Sequence, residues 1–408
     1  MKHLALAWWL LTVGLSVACG GKVGGSSSSA SGTSIASGGA LASDLAGSPG
    51  SSCTIRVART GSDSNSGVNL TEALASVQKA LDVSSTMIGQ AVCSIVEVWV
   101  ATGTYRPTYL ADSADARSAT FQLVANVDLY GGFAGDESLR TERSVGTNVT
   151  ILSGDIGTPA HTSDNSYHVV TGVTGATPDG FTVTGGNANG SMYIVGKCGG
   201  MYNLDTCVPS AVGGGMYNDE DSAPTVTNCT FTGNSAVTEG GGMYYNADTS
   251  PTVTGCTFTG NRAGHSGGGM STQGTAPVLV TNCILWSDKV GTSVSEIFNP
   301  SVLGPEPPAP ARVSYSIVQS GYALGTNIIT ADPLFVDAAN GNLHLNAGSP
   351  GIDAGNGCAK YVALTDQADN SRWDMSNVPN QVDGLDIGAF EYQGTAGMDT
   401  RITDFNCP

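Results

Sequence analysis

The alternation of apolar and polar residues is clearest between residues 213 and 288, and there it repeats. Val226, Cys229 and Phe231 are apolar with Thr227 and Thr230 between them, and Val253, Cys256 and Phe258 keep the same rhythm one copy later. Alternation with a period of two predicts short strands that bury one face. It breaks at Asn228, Gly255 and Asn282, residue types that tolerate a left-handed backbone, so paired strands are expected to meet at a one-residue bend. The apolar set then points inward, and Thr227 and Thr230 are expected to face water. A second bend is expected at Gly233-Asn234, Gly260-Asn261 and Ser287-Asp288.

The step between copies is 27 residues, marked by Cys229, Cys256 and Cys283 and by glycine triplets that begin at Gly213, Gly240 and Gly267. Each triplet leads into a methionine (Met216, Met243, Met270) that starts a third side. A fixed period of this size means stacked units, each burying its apolar face against the next. Three short strands and three bends per coil predict an all-β fold, a right-handed parallel β-helix in which like residues stack into ladders. The repeats are rich in Gly, Thr and Val and poor in helix formers, which excludes an α-solenoid. The step is also too short for a four-stranded propeller blade of roughly 40 residues.

Upstream the period changes. Leu74, Val77 and Leu81, with Ala80 and Val83, fall on one face of a short amphipathic helix over 71–83, between strands at 53–57 and 95–100. It is read as the cap that covers the exposed end of the solenoid. The Pro-rich stretch 304–311 predicts a projecting loop, after which a strand resumes at 313–318.

The ends of the chain read differently. Residues 1–19 resemble an export signal, with Lys2, an apolar run from Leu4 to Val17, and Ala18-Cys19. The cysteine after small residues suggests lipidation at Cys19, with ordinary cleavage near Ala18 as the alternative. Residues 20–52 are Gly, Ser and Ala with almost no large apolar side chain, a composition that makes a flexible tether. The β-helix domain is placed at 53–393 and a tail at 394–408. The net charge of −18 disfavours nucleic acid and anionic membrane surfaces.

Ten cysteines in an exported chain favour disulfides. The preferred pairs each close a local or terminal segment: Cys53 with Cys93, Cys198 with Cys207, and Cys358 with Cys407. Cys229, Cys256 and Cys283 then form an internal ladder of small hydrophobes, with a bridge between neighbours as the alternative.

The quoted repeats resemble right-handed parallel β-helix repeats of bacterial surface proteins, and the alternation of GGGMYN with NCTFTGN resembles the polymorphic outer-membrane protein family. VEVWVATGTYRP, ATFQLVANVDLYGGFAGDE, TILSGDIG, DNSYHVVTG and DGFTVTGGNANG resemble the opening coils of choice-of-anchor Q β-helix proteins. ADPLFVDAANGNLHLNAGSPGIDAGN and VDGLDIGAFEYQ resemble that family's closing segment. The resemblance runs from about residue 53 to 393. It implies a β-helix at a cell surface and carries over no catalytic residue. Relatives of this kind carry varied C-terminal anchors; here the N-terminal lipid is expected to substitute.

Candidate chemistry is sparse. Between Thr150 and Asp288 the basic residues are Lys197 and Arg262, and Arg262 with His265 is the best basic cluster for substrate contact. Asp219 and Asp221, with Asp248 one coil later, are candidate calcium ligands, as are Asp383 and Asp386 in the closing segment, whose carboxylates would otherwise pin a turn. Neither group has the carboxylate arrangement that glycoside hydrolysis needs. The expectation is an exported, lipid-anchored, monomeric β-helix of the outer membrane or cell surface. It would act as a non-catalytic adhesive or structural module toward a glycan or surface protein. The alternative is a carbohydrate-active enzyme, a polysaccharide lyase or glycoside hydrolase; a passenger exported through a barrel is disfavoured.

Overall fold

The computed structural model of the chain describes residues 52–190, 210–219, 221–246, 248–299, 309–358, 373–374, 385–390, 392 and 400–401. The expected signal, the tether, the Cys198–Cys207 pair and most of the Pro-rich stretch 304–311 lie outside these residues. No helix among the described residues is long and apolar enough to cross a membrane.

The strands stack in parallel into a right-handed parallel β-helix. One face runs from Ser52–Val57 through Ile95–Ala101, Val127–Phe133, Thr177–Asp179, Thr225–Thr227, Thr252–Thr254 and Leu279–Thr281 to Arg312–Val318. The second begins at Gly103–Tyr105 and passes through Thr150–Ser153, Thr182–Thr184, Thr230–Thr232, Thr257–Thr259 and Ile284–Trp286 to the same strand, Arg312–Val318. The third carries Met216–Asn218, Met243–Tyr245 and Met270–Thr272 between Val170–Thr171 and Ile297–Phe298. The repeat coils also have a short fourth side, Ser235–Ala236, Arg262–Ala263 and Lys289–Val290, where the sequence suggested three. Its two-residue strands are too brief to show as alternation.

The bends fall where residue type allows them. Asn228, Gly255 and Asn282 have φ of 46°, 61° and 56°, and Gly233, Gly260 and Ser287 have 66°, 69° and 67°. Arg312–Val318 bends in the same way at Tyr315, φ 47°, and so supplies both faces of one more coil. The inward row of the first face reads Ile55, Val98, Leu129, Pro178, Val226, Val253, Val280, Val313. On the second face Phe231 stacks on Phe258, centroids 4.7 Å apart and planes within 4°.

At the N-terminal end the helix spans Val77–Gly89, later than the expected 71–83. Leu74 is taken by a parallel bridge to Val57, donating to the Arg56 carbonyl and accepting from Ala58. The helix therefore starts only after Ser76, whose hydroxyl caps the Lys79 amide. Asp63 fixes this entry by accepting from the amides of Ala75 and Ser76 and from the Ser76 hydroxyl. The Cys53–Cys93 disulfide, Cα atoms 6.0 Å apart, ties the first strand to the segment after the helix. Cys358 is also disulfide-bonded, while Cys407, its expected partner, lies outside the described residues.

The closing segment corrects a second expectation. Thr227, Thr230, Thr254 and Thr257 point outward yet are buried. Around Thr257 the cover is the segment 385–390, which folds back along the outside of the stack: the Ala389 amide donates to Thr257 Oγ1, and the Gly388 amide to the Asn282 carbonyl. Ile284, Ile317, Leu345, Ile352, Ala354 and Ile387 form a second apolar cluster there, outside the coil interior. Alternation identified the outward face but not this cover, because the covering residues lie far along the chain.

Candidate functional site

The outward rows of the first face have two chemistries. In the repeat coils the Cα-paired positions read Thr227, Thr254, Thr281 and Ser314. Toward the N-terminus the same row becomes Asp179, Tyr130, Trp99 and Arg56. Here the charged and aromatic groups are linked. Arg56 lies over the Trp99 ring at 5.0 Å, Trp99 stacks on Phe133 at 4.8 Å, and Trp99 Nε1 donates to Glu97 Oε2. Arg140 pairs with Glu97 at 2.7 Å and lies over Tyr130 at 4.7 Å. Arg143, also over Tyr130, makes a nearly buried ion pair with Asp179 at 2.8 Å. Burial and the neighbouring carboxylate of Asp128 push the Tyr130 phenol well above its ordinary range.

Beside this network is a surface depression of about 260 Å³, including its open mouth, lined by Arg56, Leu70, Trp99, Phe133 and Glu137 among others. Glu137 closes its edge by accepting from the amides of Ala134, Gly135 and Asp136, an anion in a backbone nest. Trp99 is only 7 % exposed, so its ring is occupied by protein neighbours rather than presented as a platform. These groups act chiefly as a brace. The sequence candidates for a base lie between Thr150 and Asp288, outside this region. The available signal was the concentration of Arg56, Arg59, Arg106, Arg117, Arg140 and Arg143 ahead of the repeats, in a chain of 16 basic residues.

The other candidates are placed as follows. Arg262, on the fourth side, and His265, just past the end of that strand, are both exposed. Arg262 pairs in register with Lys289, which the sequence did not single out, so two cations stand on adjacent coils. Asp248 Oδ1 accepts from Thr275 Oγ1 at 2.6 Å, and the Asp221 carbonyl accepts from Thr174 Oγ1. The Asp219 carbonyl accepts from the Ser222 amide, and burial, with the carboxylates of Glu239 and then Asp219, pushes the Tyr244 phenol upward. No three His, Cys, Asp or Glu side chains converge on a point among the described residues. Asp383 lies outside those residues. Asp386 pins a turn, accepting from the amides of Asp353, at 2.8 Å, and Tyr392.

Inside the repeats two ladders run along the axis. The Cys229 amide donates to Cys256 Sγ at 3.4 Å and the Cys256 amide to Cys283 Sγ at 3.5 Å; all three are buried free thiols. Ser316 takes the next rung, its hydroxyl accepting from the Cys283 amide. Burial pushes the Cys229 thiol up to about 12, which removes it from thiolate chemistry near neutral pH. The second ladder is Asn234, Asn261 and Asp288. Asn261 Oδ1 accepts from the Asn234 amide, and Asp288 Oδ1 from the Asn261 amide at 2.7 Å and from Nδ2 at 2.9 Å. In the third side His168 is buried, its Nδ1 2.9 Å from the Gly213 carbonyl, and burial holds its imidazole down to about 4.

No family model matches the chain. No curated protein matches it. Among solved structures it is similar to a rhamnogalacturonan lyase, at 13 % identity and a TM-score of 0.36, covering 65 % of this chain and 68 % of that one. It is also similar to pectate lyase Pel9A, at 12 % identity and a TM-score of 0.32, covering 86 % and 100 %. At these values the likeness carries no inference about chemistry.

Proposed function

We propose that the chain is an exported, lipid-anchored surface β-helix, of the choice-of-anchor Q kind, acting as a non-catalytic adhesive or structural module. The observation that carries this reading is the regular half-exposed polar rows of the repeat coils. Thr225 with Thr252, and Thr232 with Thr259, stand in register on adjacent strands. Coil stacking sets their separation at about 4.8 Å. Such rows present hydroxyls at a fixed repeat, suited to the hydroxyls of a glycan or the backbone of a protein. The N-terminal brace and the folded-back closing segment stiffen both ends of that surface. Cys19 would supply the lipid and residues 20–52 the reach from the membrane.

A second reading, a carbohydrate-active enzyme, is favoured by Arg262, Lys289 and His265. A polysaccharide lyase needs a base and cationic contacts on an outward side; Arg262 and Lys289 stand in register on adjacent coils, and His265 is exposed three residues beyond Arg262. The test is binding and cleavage by the secreted chain on a broad glycan array, with calcium or with chelator. Binding without new reducing ends or unsaturated products is the expected result. Product formation lost in Arg262→Ala or Lys289→Ala would establish the enzyme instead.

A further inference from the structure

The asparagine ladder changes character at its last rung. Asn234 and Asn261 are neutral amides, but the third rung is Asp288, fully buried, and Glu296, 1 % exposed, lies against it. Asp288 uses Oδ1 on Asn261, and Asp288 Oδ2 and both oxygens of Glu296 are buried without a well-formed hydrogen bond. The Glu296 carbonyl oxygen crowds the Gly269 backbone, 2.7 Å from where a Cβ would lie, and the carboxyls of the two acids act on each other. Asp288 Oδ2 lies so close to the Gly269 backbone that a Cβ there would be 2.7 Å from it. Two buried carboxylates in contact cannot both remain ionised without a cation between them.

We propose that Asp288 and Glu296 share a proton and form a pH-sensitive clasp that holds the segment 289–298 on the end of the repeat stack. That segment doubles back at Gly291, pairing Lys289–Val290 with Ser293–Val294, and then lays Ile297–Phe298 against Met270 and Ser271. It thereby forms the last strands of the third and fourth sides. The clasp is reinforced by backbone bonds from Ser295 to the Asp288 carbonyl and from Met270 to the Glu296 carbonyl. The groups acting on the pair are each other, Asn261, and the backbone of Ser287 and Asp288. The nearest basic residue in sequence, Lys289, is aligned with Arg262 in the fourth side's outer row rather than with the pair.

The sign follows from the shared proton. Burial, with mutual repulsion, raises the pair above the ordinary carboxylate range. Below about pH 4 both carboxyls are protonated folded or unfolded, and the clasp contributes no pH dependence. As pH rises above that, the unfolded chain releases protons that the folded chain retains, so stability falls. Ionisation of the second carboxyl loosens the segment and opens two strand edges.

The test compares the full chain with its Asp288→Asn and Glu296→Gln variants. Asn already occupies the two preceding rungs, so the first variant extends a ladder the fold accepts. The melting temperature of Asp288→Asn minus that of the wild type should increase by about 3 °C or more between pH 5 and pH 9. Proteolysis in the exposed tip 291–294 should accelerate at pH 9 in the wild type and not in the variant. Glu296→Gln reads out the same pair from the other side and should show the same flattening. A difference between variant and wild type that stays constant across this pH range would overturn the proposal. So would stabilisation by calcium or sodium that is lost in Asp288→Asn, because a cation rather than a proton would then lie between the carboxyls.

Discussion

The coils before residue 190 and those after 210 share a backbone path but place their polar groups on opposite sides of it. In the early coils the ionic groups are outside: Arg140 with Glu97, Arg143 with Asp179. The repeat coils present mostly threonine outside and keep thiols, amides and an acid pair within. The difference follows from regularity. A ladder of identical residues can satisfy buried donors and acceptors rung by rung, because each rung meets its own copy at a fixed offset. Irregular coils cannot form such ladders, so their buried polar groups are satisfied one by one, as Thr120 is by Thr171 and His168 by the Gly213 carbonyl, and their ion pairs lie outside the coil.

The comparison is tested most severely at the repeat interior. Phe258→Ala removes the ring stacked on Phe231, and unfolding free energy in urea should drop by about 3–5 kcal/mol. In the early coils the severest test is Arg143→Ala, which leaves Asp179 nearly buried without its cation; a loss of about 3 kcal/mol is expected. A smaller loss would mean that the brace is decoration rather than support.

The third test uses pH. His168 is neutral in the fold and its imidazole is depressed from 6.5 to about 4. Above pH 6.5 it contributes nothing, since both states are neutral. As pH falls toward 4 the unfolded chain takes a proton that the fold does not, so stability is lost, up to about 3 kcal/mol. His168→Asn should flatten that acid limb in urea titrations at pH 7 and pH 4, and an unchanged limb would assign the loss to other groups. The early and late buried ionisable groups therefore fail at opposite ends of the pH scale.

Two smaller effects sharpen the picture. Cys256→Ser should cost only about 1 kcal/mol, because Ser316 already shows that a hydroxyl can take a rung: it accepts from Cys283 and donates to Ser314. In the native wild type these three thiols should resist alkylation. Glu97→Gln breaks a partly exposed pair and should change stability by less than about 1 kcal/mol. A large effect there would show that Glu97 positions Trp99 as well as pairing with Arg140.

What the sequence revealed follows the same division. The repeat coils were legible because their text recurs, down to the bends at Asn228, Gly255 and Asn282. The coil containing Tyr315 and Ser316 was not, because its residues differ and its step from Cys283 is 33 residues rather than 27. The row Arg56, Trp99, Tyr130, Asp179 was hidden because loops of unequal length separate its members. Lys289 escapes for a different reason: it lies one residue beyond the span Thr150–Asp288 in which Arg262 and His265 form the basic cluster, and only the coil register sets it beside Arg262. The Asp288–Glu296 pair is half legible: the repeat places Asp288 at a bend position, but Glu296 lies outside the repeated text and nothing in the sequence sets it against Asp288.

The folded-back closing segment has a consequence for how the molecule can vary in length. In a simple solenoid any coil is exchangeable, because contacts reach only the neighbouring turn. Here the bond from Ala389 to Thr257 spans 132 residues, and the segment can dock only after the coils beneath it exist. A whole 27-residue unit added ahead of Thr257 would lengthen the rod and leave that docking seat untouched. The same unit inserted between Thr257 and Ile317 would move the seat apart and leave the closing segment without its groove. Growth is thus open at one end and locked at the other.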